Sequence, residues 1–211
     1  MNQTLWRHGE ERRDEAPHPC PSPKLGEGTG GVICPSPNLG EGTGGVIDAL
    51  AAIWQTGRKI AFLGVGSPLR GDDAVGLYLV AELEKCLPPA PERELRFYSG
   101  ESAPENFTGE IRRFAPTHLI LCDAARMDAP PGTFAVIDPA SIGGVSFTTH
   151  TLPLKIIVDY LIATTGCQVT IIGIQPHNLE FACPLSPAVK AGADHFVDAF
   201  EQRIGLASTT E

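Results

Sequence analysis

Short apolar runs alternate with amphipathic stretches from residue 58 onward. Five runs have the length and the β-branched or aromatic content of buried strands. They lie at 60–65, 94–98, 118–122, 133–137 and 168–174. Apolar residues at helical spacing predict helices between and after these runs. The predicted helices lie at 74–86, 104–114, 154–164 and 186–204. Strands that alternate with helices predict an α/β fold with a mostly parallel sheet.

The first 57 residues lack this regular pattern. Residues 1–19 are polar, and two nearly identical segments follow at 20–33 and 34–47, which differ only at Lys24 and Asn38. Glycine and proline are too frequent there, and two copies are too few, for a stacked repeat architecture. We therefore expect residues 1–57 to be a disordered extension, ending in a short helix at 48–56, and residues 58–211 to be the folded domain.

Composition narrows the class of protein. The chain has 211 residues, 42% of them hydrophobic, and a net charge of −9. This charge disfavours nucleic acid or an anionic membrane surface as the main partner. No apolar run approaches the ~20 residues of a membrane span, and the N-terminus lacks the apolar core of a signal peptide. We expect a cytoplasmic monomer.

Candidate chemistry begins at the glycine-rich turn after the first strand. Asp73 ends this turn, Asp123 follows the third strand, and His150 precedes the third predicted helix. Because parallel strands align their carboxyl ends at one edge of a sheet, the two carboxylates are expected to meet there. Two carboxylates and an imidazole suit a first-row divalent metal with open coordination positions. Helix capping by the aspartates and a structural histidine remain the alternatives.

Other common sites fit the sequence less well. The turn begins like a dinucleotide fingerprint, but Leu69 stands where the third glycine belongs, and the adjacent Asp72 would repel a pyrophosphate. The chain has no P-loop and no G-x-S-x-G nucleophile elbow. Its six cysteines form no Cys-x-x-Cys pair, which disfavours a thiol-based site.

Several segments together resemble the endopeptidases that mature the large subunit of nickel–iron hydrogenases. They occur in the family's order between residues 59 and 204. The matching segments are Leu63–Gly76, Ser102–Asn106, Leu121–Ala125, Pro131–Gly132, Thr148–Leu154 and Gly173–Pro176. The Thr148–Leu154 and Gly173–Pro176 segments look most like the branch that serves hydrogenase 3 of formate hydrogenlyase.

The resemblance implies a three-layer α/β/α fold with a sheet of about five strands. It implies that Asp73, Asp123 and His150 match the family's metal-contacting residues, with Asp73 and Asp123 also catalytic. The nickel would be carried by the substrate, which is the precursor of a hydrogenase large subunit. The enzyme would remove a short C-terminal peptide from that precursor. We also expect substrate contacts from Gly71, Asp72 and Gln175.

One departure from the family pattern bears on activity. The family usually has Asp-Gly-Gly where this chain has Ser99, Gly100 and Glu101. Ser99 cannot replace a carboxylate, whereas Glu101 is close enough in sequence to compensate. A non-catalytic nickel-checking or chaperone module is therefore the second hypothesis. A small-molecule hydrolase or nucleotide-binding domain on the same architecture is the third.

Overall fold

The computed structural model describes residues 42–88, 90–138, 146–147 and 151–205, of which 146–147 and 151–153 are described by backbone alone. The helices are α1 Gly42–Thr56, α2 Val75–Cys86, α3 Thr108–Phe114, α4 Thr151–Thr165 and α5 Pro187–Arg203. The strands are β1 Lys59–Val65, β2 Glu94–Glu101, β3 His118–Arg126, β4 Phe134–Ile137, β5 Ser146–Phe147 and β6 Gln168–Ile174. Short 3-10 helices precede α2 at Gly71–Ala74 and α3 at Pro104–Phe107.

Five strands form the main sheet in the order β2-β1-β3-β6-β4. The first four are parallel, and β4 pairs with β6 in the antiparallel direction. The predicted α/β class with a mostly parallel sheet of about five strands is confirmed. Each predicted strand overlaps an observed one, because apolar runs of this length are typical of strands buried on both faces.

Helices cover both faces of this sheet. On one face, α1, α2 and α5 pack through side chains such as Leu50, Leu79 and Phe196. On the other face, α3 and α4 pack through Ile111 and Leu161. The expected three-layer arrangement is therefore present, and the sheet is its middle layer. No helix in the described ranges is long and apolar enough to cross a membrane.

The folded domain begins earlier than the predicted boundary at residue 58. Helix α1 starts at Gly42, inside the second repeat copy, and buries Val46, Leu50 and Ala51. Its Trp54 ring meets the Phe200 ring edge-on, with the ring centroids 6.2 Å apart. Burial of this apolar face offsets the low helix propensity of glycine, which is why the glycine-rich sequence was misleading. The remainder of the predicted extension, residues 1–41, lies outside the described residues.

The candidate site lies at the edge of the sheet where neighbouring strands end at different levels. The pairing of β1 with β3 stops at Gly64 opposite Cys122, whereas the pairing of β3 with β6 continues to Ala124 opposite Ile174. Strand β3 therefore runs past the point where β1 turns away. Helix α2 crosses there so closely that a Cβ on Gly76 would lie 2.2 Å from the carbonyl oxygen of Cys122.

Candidate active site

The turn after β1 delivers Asp73 to this edge of the sheet. Gly66 has a φ of +129°, and a Cβ at this position would lie 1.8 Å from the carbonyl oxygen of Asp73. Only glycine fits, because both the backbone angle and the space exclude a side chain. The Ser67 N–H donates a hydrogen bond of 2.9 Å to Oδ2 of Asp73. Asp73 is fully buried, so this turn fixes a carboxylate inside the protein.

Asp123 lies within β3, opposite Gly173 of β6. Its side chain is 0% exposed, and its Oδ1 accepts a 2.7 Å hydrogen bond from the Ala124 N–H. Its Oδ2 is buried and has no hydrogen-bond partner in the described part of the chain. A buried carboxylate oxygen without a donor is costly, and native structures rarely keep one without a functional reason.

The two carboxylates influence one another. Burial, and after it the negative charge of Asp73, raise the pKa of the Asp123 carboxyl well above its usual range, while the Ala124 N–H acts in the opposite direction. The structure thus brings the predicted pair together, because β1 and β3 are adjacent parallel strands. The pair can hold a cation or share a proton, as paired buried carboxylates do.

The third predicted ligand, His150, lies outside the described residues. Among the described residues, no group of three or more His, Cys, Asp or Glu side chains is arranged to hold a metal ion. The nearest described backbone before His150 is β5, whose Phe147 pairs with Ala125, two residues beyond Asp123. The three-residue metal site therefore stays a prediction.

Asp72, the neighbour of Asp73, has a different environment. Its side chain is also 0% exposed, but its two oxygens accept four hydrogen bonds. The donors are the N–H groups of His177, Asn178 and Ser186 and the hydroxyl of Ser186, at 2.8, 2.8, 2.6 and 2.9 Å. The carboxylate therefore fastens the segment 177–186 to the turn. We call Asp72 and its four donors the clamp; the predicted substrate contact of Asp72 stays a prediction.

Gly71 joins the same two segments. Its N–H donates to the Cys183 carbonyl at 3.1 Å, and its φ is +53°. A Cβ on Gly71 would lie 2.5 Å from the carbonyl oxygen of Asn178. These contacts explain the glycine by close backbone packing, and a contact with substrate is not tested by them.

Gln175 continues directly from β6. Its Oε1 accepts a 2.6 Å hydrogen bond from the Met127 N–H, and its Nε2 donates to the Pro176 carbonyl at 3.0 Å. The side chain therefore holds the segment that leaves β3. It also lines a cavity of about 520 Å³, whose walls are Arg70, Arg126, Asp128 and residues 175–180. The predicted contact between Gln175 and substrate remains a prediction, and it would be made inside this cavity.

Sequence reasoning missed the two arginines of this cavity. Arg70 stands three residues before Asp73, and Arg126 three residues after Asp123. Arg126 is the last residue of β3, and Arg70 lies in the turn that follows β1. Their positions after strands were the signal that the sequence offered. The walls of the cavity are largely charged or polar, which is unlike the mostly apolar pockets that bind small molecules.

The segment that departs from the family pattern lies on β2. The Glu101 carbonyl accepts a 3.1 Å hydrogen bond from the Gly66 N–H, so this strand end supports the Asp73 turn. Ser99 is exposed, as is Glu101.

The described free thiols include Cys122, whose burial raises the pKa of its thiol and keeps it from acting as a thiolate nucleophile.

Comparison with known proteins identifies the family. A family model described as HycI, hydrogenase maturation protease, matches residues 77–203. A Methanocaldococcus jannaschii protein assigned as a hydrogenase maturation protease is 37% identical over 145 residues, which cover 67% of this chain and 85% of that protein.

Solved structures agree with this match. The crystal structure of the [NiFe] hydrogenase maturation protease HycI from Thermococcus kodakarensis KOD1 aligns with a TM-score of 0.65 and 26% identity, covering 74% of this chain and 99% of that one. The solution structure of the endopeptidase HycI from Escherichia coli aligns with a TM-score of 0.57 and 30% identity, covering 72% and 99%. The chain therefore belongs to the hydrogenase maturation protease family and is a peptidase.

Proposed function

We propose that this chain removes a C-terminal peptide from the nickel-loaded precursor of a nickel–iron hydrogenase large subunit. Family membership supports the reaction class and the hydrogenase partner. The observation that carries the proposal is the buried Oδ2 of Asp123, which has no donor in the described part of the chain and lies near the negative charge of Asp73. Such an oxygen is suited to receive a cation that arrives with the substrate.

The donor set fits nickel as cargo rather than as a resident ion. Asp73 and Asp123 supply carboxylate oxygens, and His150 would add an imidazole nitrogen. Three ligands leave an incomplete coordination shell, so the free enzyme is expected to bind nickel weakly and the precursor to supply the remaining ligands. When bound, the metal would polarise the scissile carbonyl or lower the pKa of a water molecule.

The chain's own residues position the reaction. The Gly66 turn and the Ser67 N–H fix the Asp73 carboxylate, and β3 fixes Asp123. One of the two carboxylates, or the metal, would activate a water molecule at this edge of the sheet. The cavity lined by Arg70, Arg126 and Gln175 would admit the precursor tail.

Two sequence segments, Thr148–Leu154 and Gly173–Pro176, favour a precursor of the hydrogenase 3 type. We further infer that the enzyme acts as a monomer. The non-catalytic chaperone alternative is disfavoured by membership of a peptidase family. The small-molecule alternative is disfavoured by the polar cavity walls.

The test is cleavage of purified precursor with and without nickel, followed by mass spectrometry of the released peptide. The wild type should cut only the loaded form, and Asp73→Asn should cut neither. Asp198→Asn is the matched control, because Asp198 is exposed on α5. Equal cleavage of both forms would overturn metal recognition, and an active Asp73→Asn variant would overturn the assigned site.

A further inference from the structure

Two exposed apolar residues lie on two loops that border the cavity. Leu69 is 59% exposed and Phe181 is 71% exposed, although most large hydrophobic side chains of the described chain are buried. Their loops are joined by a 2.8 Å hydrogen bond from the Ala182 N–H to the Leu69 carbonyl. We call Leu69 and Phe181 the apolar rim.

The apolar rim stands on a fixed support. The Asp72 carboxylate binds the amides of His177, Asn178 and Ser186, and the Asp72 N–H donates to the Asn178 carbonyl at 2.8 Å. These hydrogen bonds fix the backbone of the loop, so the exposure of Phe181 is part of a defined loop conformation. Exposed apolar residues on fixed loops beside a cavity are available to contact a partner that occupies the cavity.

The apolar rim borders the cavity that we propose admits the precursor tail. Arg70, the neighbour of Leu69, lines the cavity, as do Leu179 and Glu180 just before Phe181. The turn that carries Leu69 also carries Asp73, four residues later. A precursor tail that enters this cavity would therefore lie beside the apolar rim.

We propose that the apolar rim binds an apolar side chain of the precursor, within a few residues of the bond that is cut. This inference rests on the proposed function, since it takes the hydrogenase precursor as the occupant. The rim contact forms in the enzyme–substrate complex and persists in the transition state. It therefore contributes uniform binding, which sets KM rather than kcat.

The experiment measures cleavage kinetics of the purified nickel-loaded precursor by Leu69→Ser and Phe181→Ser. Each substitution should raise KM roughly tenfold and leave kcat within about twofold, as expected for loss of one apolar contact. Leu69→Met and Phe181→Leu should restore most of the affinity. Dissociation constants measured by biolayer interferometry in an Asp123→Asn background should show the same order.

Ile162→Ser is the matched control. Ile162 is also exposed, but it lies near the end of α4, which leads into the first residues of β6 and thus to the opposite edge of the sheet. Unchanged KM and Kd in both rim variants would overturn the inference. Circular dichroism checks folding, and Leu69→Gln and Phe181→Gln repeat the test if a serine variant unfolds.

The remaining outcomes separate this inference from the proposed function. Wild-type protein that binds the precursor through the rim without cutting it would support the rim and overturn the proposed cleavage. Wild-type protein that neither binds nor cuts the precursor would overturn both. A wild-type dimer that the rim variants convert to monomers, with KM unchanged, would assign the rim to a second copy of this chain and overturn the precursor as occupant.

Discussion

Asp72 and Asp123 are both fully buried carboxylates at the same edge of the sheet, yet their surroundings are opposite. Among the described residues, Asp72 accepts four hydrogen bonds within the clamp, whereas Asp123 accepts one and its Oδ2 has no donor. The four hydrogen bonds of the clamp offset the cost of burying the Asp72 carboxylate, and they also satisfy the four donor groups. At Asp123 that cost is not offset within the described chain.

Two carboxylates that are equally buried but differ in their hydrogen bonds show that burial alone does not assign a role to a carboxylate. A saturated carboxylate holds the fold together, while an unsaturated one next to a second negative charge is available to a ligand. Asp73 is the source of this second negative charge, which raises the pKa of the Asp123 carboxyl. The adjacent residues Asp72 and Asp73 thus have different surroundings within one turn.

The largest expected effect comes from Asp123→Asn. Cleavage should fall at least about a thousandfold, as for one member of a catalytic unit. The free energy of unfolding should change by less than about 1 kcal/mol or rise, because the amide keeps the shape of the side chain and cannot carry the charge that burial and Asp73 disfavour. Single-turnover cleavage and urea unfolding measure the two effects. A stability loss above about 3 kcal/mol would place Asp123 with Asp72 as a structural residue and remove the contrast.

Asp72→Ala should do the reverse and act first on stability. Four donors lose a charged acceptor, so the free energy of unfolding should fall by about 3–5 kcal/mol, with Asp72→Asn in between. Urea unfolding gives the magnitude, and hydrogen exchange should accelerate at the amides of His177 and Asn178. A loss below about 1 kcal/mol would show that the clamp contributes little.

Parallel-strand logic accounts for the part of the site that the sequence predicts. Asp73 and Asp123 meet because β1 and β3 are neighbours, and the apolar runs mark both strands. The role of Asp72 was out of reach, because its donors lie 105 to 114 residues further along the chain. Local patterns carry no information about which loop will return to a given turn.

The same limit explains the misplaced domain boundary. Residues 42–47 are rich in glycine and lack intrinsic helix propensity, yet they begin α1 because Val46 and Leu50 fill a space beside α5. Tertiary burial outweighs propensity at such positions. The antiparallel direction of β4 was likewise not fixed by its apolar run, since a short buried run reads the same in both directions.

The smallest effect is expected from the loss of one hydrogen bond of the clamp. Ser186→Ala removes the hydroxyl donor to Asp72 but keeps the backbone donor, so the free energy of unfolding should fall by about 1 kcal/mol. Cleavage should stay within about twofold. In an Asp72→Ala background the same change should cost almost nothing, because the pair no longer interacts. Full additivity in urea unfolding would show that Ser186 acts without Asp72.

The start of α1 inside a duplicated segment has a genetic consequence. The six residues 28–33 of the first copy repeat the sequence of residues 42–47, which open the helix. Deleting either copy would therefore join an identical helix start to Asp48, leaving two shortened chains that differ only in whether Lys24 or Asn38 is kept. Loss of one copy would therefore leave the sequence of the folded domain, from its first helical residue onward, unchanged.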